Sequence, residues 1–344
     1  MNLKKRTINL ILIALCLGFG VVLFLVLWPA TYHVPQQQVR AGTKFWNLPS
    51  GSRIAYTFIP AKGNKNPYPI IFLQGGPGGP IYDRNITILS NLADDGYDVY
   101  LYDQVGCGFS ERLDNIEEYT VERHKKDLLE IVKNIGSEKV ILIGQSWGAI
   151  LATLFVAENP EKVKKIIFTS PGPVLPVNQE LDSIRPPDSL QLRKPVFTNR
   201  QGREKAYTIR TKFVEFVAKN LDWKLAPDKE MDDFASYLNF EMGKSTVCDT
   251  SNAGQIENGA GYYCMVKTVQ SFDDVVDRRE KIKQCLVPVL ILKGQCDNIK
   301  WGYTSEYLSL FQNHRFVLVP DAGHGIATGQ PEIYLNTIRH FLTK

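Results

Sequence analysis

The chain has 344 residues, 44% hydrophobic and 22% charged, the balance of a globular protein long enough to bury a sizeable core. Its formal net charge is +4 and no basic run exceeds Lys4-Lys5-Arg6, so nothing marks a nucleic-acid partner. The cysteines and histidines form no CxxC pair and no cluster of metal-ligand spacing, so neither a metal nor another cofactor is implied.

In chain order, the first event is Ile8 to Trp28, which carries no charge and one polar residue, Asn9. As a helix rising 1.5 Å per residue it matches a hydrocarbon core of roughly 30 Å, and residues 1–30 are read as a transmembrane signal anchor. The apolar run is too long, and "LWPATY" too bulky, for a cleaved signal peptide. Lys4, Lys5 and Arg6 bias the N-terminus to the cytoplasm and place the remainder on the outer side. Residues 31–42, rich in proline and glutamine, read as a stalk. In an exported domain disulfides form, and Cys248 with Cys264 is the expected pair because polar, glycine-rich sequence separates them.

Thr43 to Ile59 reads as a hairpin around "LPSGS". Short apolar runs follow at Ile70–Leu73, Val99–Tyr102, Val140–Ile143, Ile166–Thr169, Val287–Leu292 and Phe316–Val319, as in strands buried on both faces. Helical periodicity lies between them at Tyr119–Ile135, Gly148–Glu158 and Pro331–Leu342. The alternation predicts an α/β fold, a mostly parallel twisted sheet flanked by helices, over residues 43–172 and 286–344. Residues 173–285 break the pattern with helix-like stretches around Tyr207–Leu221 and Asp232–Met242. They are read as an inserted helical cap over the carboxyl edge of the sheet, where open α/β sheets place their ligands.

Chemistry concentrates in three places. In "VILIGQSWGAILA" a strand runs into Gly144-Gln-Ser-Trp-Gly148 and then a helix, the setting in which Ser146 sits on a strained turn with its hydroxyl exposed. A serine nucleophile needs a base and a group that orients it. His324, in the loop "PDAGHGIA" after the last strand, is the histidine at the catalytic edge, and Asp297 ends the preceding strand. Asp321 is the competing carboxylate, but it lies too close in sequence to His324 to reach the far ring nitrogen easily. The oxyanion donors are expected from the amide of Trp147 and from Gly75 and Gly76 in "QGGPGGP", whose bare backbone follows a strand directly. Gln74 is expected to anchor that loop by hydrogen bonding, since an amide does not titrate.

Together these features resemble an α/β-hydrolase, and more narrowly the prolyl iminopeptidase family. Its His-Gly-Gly-Pro-Gly appears as Gln74-Gly75-Gly76-Pro77-Gly78, its Asp-Gln-x-Gly-x-Gly-x-Ser as Asp103 to Ser110, and its Gly-Gly-Ser-Trp-Gly as "GQSWG". The resemblance covers Phe45–Pro171 and Val287–Lys344 and is poor across the cap. It implies release of an N-terminal residue, often proline, from a small peptide through Ser146, His324 and Asp297. It also implies cap glutamates that bind the substrate ammonium, for which Glu215 and Glu241 are the candidates. A carboxylic-ester or lipid hydrolase with the same triad is the alternative.

Overall fold

The computed structural model describes residues 3–344. Met1 and Asn2, the start of the expected anchor, lie outside the described residues. So do the side chains of Lys4, Lys5 and Arg6, on which the expected orientation depends.

Eight strands form one sheet in the order β1-β2-β4-β3-β5-β6-β7-β8. They are β1 Lys44–Asn47, β2 Arg53–Ile59, β3 Ile70–Leu73, β4 Val99–Tyr102, β5 Val140–Gln145, β6 Val163–Thr169, β7 Val289–Gly294 and β8 His314–Val319. The hairpin β1–β2 and the β2–β4 pair are antiparallel, and the other pairings are parallel. The order is the doubly wound arrangement that the alternation of apolar runs and helices predicts, with an antiparallel hairpin at one edge.

The continuous apolar runs arise because β3 and β7 are buried along their whole length, with helices on both faces. Leu142 and Phe168 enter the apolar layer on one face, while Ile143 and Ile167, one residue on, enter the layer on the other. Each such fully buried side chain contributes roughly 1.5–3 kcal/mol. Strand and helix ends follow local chemistry. β7 begins at Val289 and not Val287, because Pro288 has no N–H for the ladder, although its carbonyl accepts from Ile166. The helix Val121–Ile135 begins after Thr120, whose hydroxyl accepts from the Arg123 amide at 3.0 Å, and ends at Gly136 with φ 72°.

Between β6 and β7 the chain forms helices at Asn199–Ala206, Ile209–Asn220, Asp228–Gly243 and Tyr262–Gln270. One expectation is corrected in this region. Cys248 pairs with Cys296, not with Cys264. Cys264 is buried on its helix against His124 and Thr268, whereas Cys296 follows β7 and meets Cys248 at a Cα separation of 5.2 Å. The residues read as a stalk make contacts with the rest of the chain. Tyr32 stacks on Tyr237 and packs at a tilt against Phe234, Asn258 donates to the Pro35 carbonyl at 2.8 Å, and Arg40 pairs with Asp83.

The N-terminal helix Leu3–Leu27 includes an apolar stretch, Thr7–Leu27, long enough to cross a membrane, and its side chains are largely exposed. Such a helix is either a membrane anchor or a signal sequence. Its last turn packs on the helix Ile209–Asn220.

Candidate active site

Ser146 lies between β5 and the helix Trp147–Glu158, at φ 53° and ψ −113°, a positive φ that a residue with a Cβ rarely adopts. The flanking glycines make that turn possible. A Cβ on Gly144 would come within 2.5 Å of the Gly148 carbonyl oxygen, and one on Gly148 would collide with the carbonyl of Leu73. The Ser146 amide donates to Thr169 on β6, which fixes the turn to the sheet. In the first turn of the helix, the amides of Ala149 and Ile150 donate to the Ser146 carbonyl at 3.0 and 3.3 Å.

His324, in the loop after β8, approaches Asp297, in the loop after β7, with Nδ1 2.9 Å from Oδ1. The acid loop is held by backbone bonds from Gln295 to Val319 and from Cys296 to Ala322, both 2.9 Å. The Asp297 side chain is fully buried. Burial alone would raise its carboxyl, but the Lys293 ammonium, the His324 ring and the Ile299 amide outweigh it and hold Asp297 well below the usual carboxylate range. Ionised Asp297 accepts from Nδ1–H, which leaves the Nε2 lone pair of His324 free to take a proton.

The loop after β3 reaches the serine from the other side. A Cβ on Gly75 would stand 3.3 Å from the Ser146 Cβ, so the bare backbone of this loop packs directly on the serine. Gly76 has φ 126°, a conformation open only to glycine. Gln74 anchors the loop as expected: its Nε2 donates to the Pro80 carbonyl at 2.9 Å and its Oε1 accepts from the Gly75 amide at 3.0 Å. The Gly75 amide is thereby occupied.

Glu215 lies on the helix Ile209–Asn220 and Glu241 on the helix Asp228–Gly243. Glu215 pairs with Lys219 at 2.5 Å and Glu241 with Lys244 at 2.6 Å, so each carboxylate already has a lysine of its own helix region.

Three supporting residues escape sequence reasoning of this kind. Gln104 is buried beneath the glycine loop, accepts from the Trp147 indole at 3.0 Å and from the Gly78 amide at 3.4 Å, and donates to the Gln74 carbonyl at 2.8 Å. Asp103 accepts from the amides of Ile81 and Phe109 at 2.7 and 2.9 Å. These are the second and first residues of "DQVGCGFS", so that motif is the scaffold of the glycine loop. Lys293, buried on β7, donates to Asp297 Oδ2 at 3.0 Å and to the Ile299 carbonyl at 2.8 Å. A lysine inside the apolar run "VLILKG" was the available signal, since such a cation is almost never buried unpaired.

A strand-turn-helix serine, a buried Asp-His pair from the next strand ends and a cap inserted between β6 and β7 define a hydrolase of the α/β class. Residues 68–327 match the family described as alpha/beta hydrolase fold, and the chain belongs to that family. Within it the chain is prolyl iminopeptidase-like. It is 28% identical to a proline iminopeptidase of Heyndrickxia coagulans over 85% of this chain and 96% of that one. It is 25% identical to a proline iminopeptidase of Saccharolobus solfataricus over 85% and 89% of the two chains. Among solved structures, a proline iminopeptidase of Mycobacterium smegmatis superposes with a TM-score of 0.57 at 18% identity, covering 88% of this chain and 97% of that chain. An esterase of Exiguobacterium antarcticum gives 0.58 at 16% identity over 88% and 100%. At such identities the structural likeness speaks for the fold alone.

Proposed function

We propose that this chain is a membrane-anchored serine aminopeptidase that releases an N-terminal residue, proline or a similar one, from short peptides. The observation that carries the reading is Ser146 at positive φ with the Gly75 backbone packed against it. Ser146 Oγ attacks the carbonyl of the first residue while His324 Nε2 takes its proton. Asp297 holds the ring through Nδ1 and stabilises the imidazolium that forms. With the Gly75 amide engaged by Gln74, the amides of Gly76 and Trp147 are the donors to the oxyanion, and Gly75 contributes by lacking a Cβ. His324 then returns the proton to the leaving amine, and water repeats the sequence to free the acyl-serine. The curated relatives named proline iminopeptidase support the peptidase reading over an ester hydrolase. Substrate-ammonium recognition by Glu215 or Glu241 remains part of the proposal and requires release of their lysine partners.

The test is an assay of the full chain in detergent on proline-, alanine- and arginine-linked chromogenic amides beside short acyl esters. Turnover of a proline or alanine amide, abolished in Ser146→Ala, is expected. Turnover of esters alone would overturn the aminopeptidase reading, and activity surviving in Ser146→Ala would overturn the site.

A further inference from the structure

The helix Ile209–Asn220 buries one side against the cap and leaves an apolar stripe on the other. Ile209, Phe213 and Phe216 recur at helical spacing on that stripe, and Leu221 and Trp223 continue it past the helix end. All five are between 41% and 63% exposed, far more apolar surface than one helix of a monomer leaves unpartnered without a use. Lys212 lies along one edge of the stripe.

The position of this helix relative to the apolar N-terminal helix decides what covers it. Arg210, buried at its first turn, donates from Nη1 to the Val26 carbonyl at 2.5 Å, capping the end of the N-terminal helix from the cap domain. The same guanidinium is held by Glu230 in two contacts, 2.5 and 2.7 Å, and Glu230 Oε1 accepts from the Ala30 amide at 3.0 Å. Val26 belongs to the apolar stretch Thr7–Leu27, whose 21 residues reach about 31 Å, the thickness of a hydrocarbon core. The span has no spare length, and the residues after it are docked on the cap by Tyr32 and Pro35. A residue clamped to Val26 therefore stands at the hydrocarbon boundary, and the stripe begins at its neighbour, Ile209.

We infer that the stripe Ile209, Phe213, Phe216, Leu221 and Trp223 is a membrane-docking face, inserted at the headgroup–acyl boundary of the leaflet from which the N-terminal helix emerges. The inference rests on the reading of Thr7–Leu27 as a membrane span. The aromatic rings occupy the interface they favour, and Lys212 meets lipid phosphates, while Lys219 stays paired with Glu215. The cap then rests on the bilayer, and the carboxyl edge of the sheet beneath it is held close to the surface.

The experiment uses the full chain with Cys16→Ser and a nitroxide on Phe216→Cys, in vesicles of phosphatidylcholine and phosphatidylglycerol. A label on Leu286→Cys, exposed in the loop before β7, is the aqueous control. The chain is expected to float with the vesicles. Oxygen should relax the 216 label more strongly than a water-soluble nickel chelate does, with the order reversed at 286. A chain that floats while both labels follow the chelate overturns the docking face and leaves the anchor standing. A 216 label shielded from both reagents and dipolar-coupled to a second 216 label overturns it in favour of a second copy. A chain that stays in the aqueous fraction removes the anchor and the docking face together.

Discussion

The Cys248–Cys296 bridge joins the cap to the loop that carries Asp297, and its removal has a calculable consequence. The bonded residues are 48 apart in sequence. Closing a loop of that length removes about 14 cal/mol/K from the unfolded chain, or about 4 kcal/mol at 25 °C. The native acid loop keeps its own supports, since Gln295 and Cys296 remain bonded to Val319 and Ala322, and Arg193 still bridges Gln295 and Asp321. The loss should therefore appear in the unfolded state, with the active-site geometry retained. Cys248→Ser/Cys296→Ser, and separately the wild type with reductant, are compared with the oxidised chain by thermal unfolding in detergent. At about 2 °C per kcal/mol for a chain of this size, the midpoint should fall by roughly 8 °C, while kcat at 25 °C stays within about twofold, or 0.4 kcal/mol. A midpoint shift under about 2 °C would show that the bridge does not constrain the unfolded chain as argued. A large loss of kcat at unchanged secondary structure would show that it positions Asp297.

Three further outcomes follow from the buried polar groups. Lys293→Met leaves the Asp297 carboxylate buried without its ammonium, a loss of about 3–5 kcal/mol by chemical unfolding, and adding Asp297→Asn should recover much of it. Because native Asp297 titrates below its unfolded value of about 3.9, that difference is complete at neutral pH and shrinks as pH falls below about 4; a variant within 1 kcal/mol of wild type at pH 7 would refute the pairing. Gln104→Leu strands the Trp147 indole, the Gly78 amide and the Gln74 carbonyl, so stability should fall by about 2–4 kcal/mol and kcat should drop with KM nearly unchanged; an unaltered kcat would separate the glycine loop from catalysis. His124 is buried beside Thr268, and burial, aided by Arg123, pushes its ring down to about 3. The unfolded chain therefore takes up a proton between pH 6.5 and about 3 that the native chain does not, so stability falls with pH across that window by up to about 1.4 kcal/mol per unit. Urea midpoints at pH 7, 6 and 5 should show a shallower slope in His124→Gln, and parallel slopes would contradict the assignment.

Much of the sheet was legible because its central strands are buried on both faces and so appear as unbroken apolar runs. Ser146 was legible because the flanking glycines answer a steric demand of the turn itself. His324 and Asp297 followed from their places after successive strands. What sequence could not supply was who meets whom across loops. The polar spacing between Cys248 and Cys264 is blind to the helix that buries Cys264 against His124. Lys293 announces itself as a cation in an apolar strand, yet its partner four residues on depends on how the acid loop folds back. The segment after the N-terminal helix has a linker's composition, but Tyr32 meets two aromatic residues on a helix some two hundred positions away. Glu215 and Glu241 share their helices with aromatics, a pattern that says nothing about the lysines that neutralise them.

The clamp between Arg210, Glu230 and the end of the N-terminal helix also fixes a frame of reference. The cap is the part tied to the N-terminal helix, and Cys248 ties the cap in turn to the loop bearing Asp297. A load applied to the N-terminal helix therefore reaches the Asp297 loop through side-chain and disulfide contacts alone, without passing through the sheet.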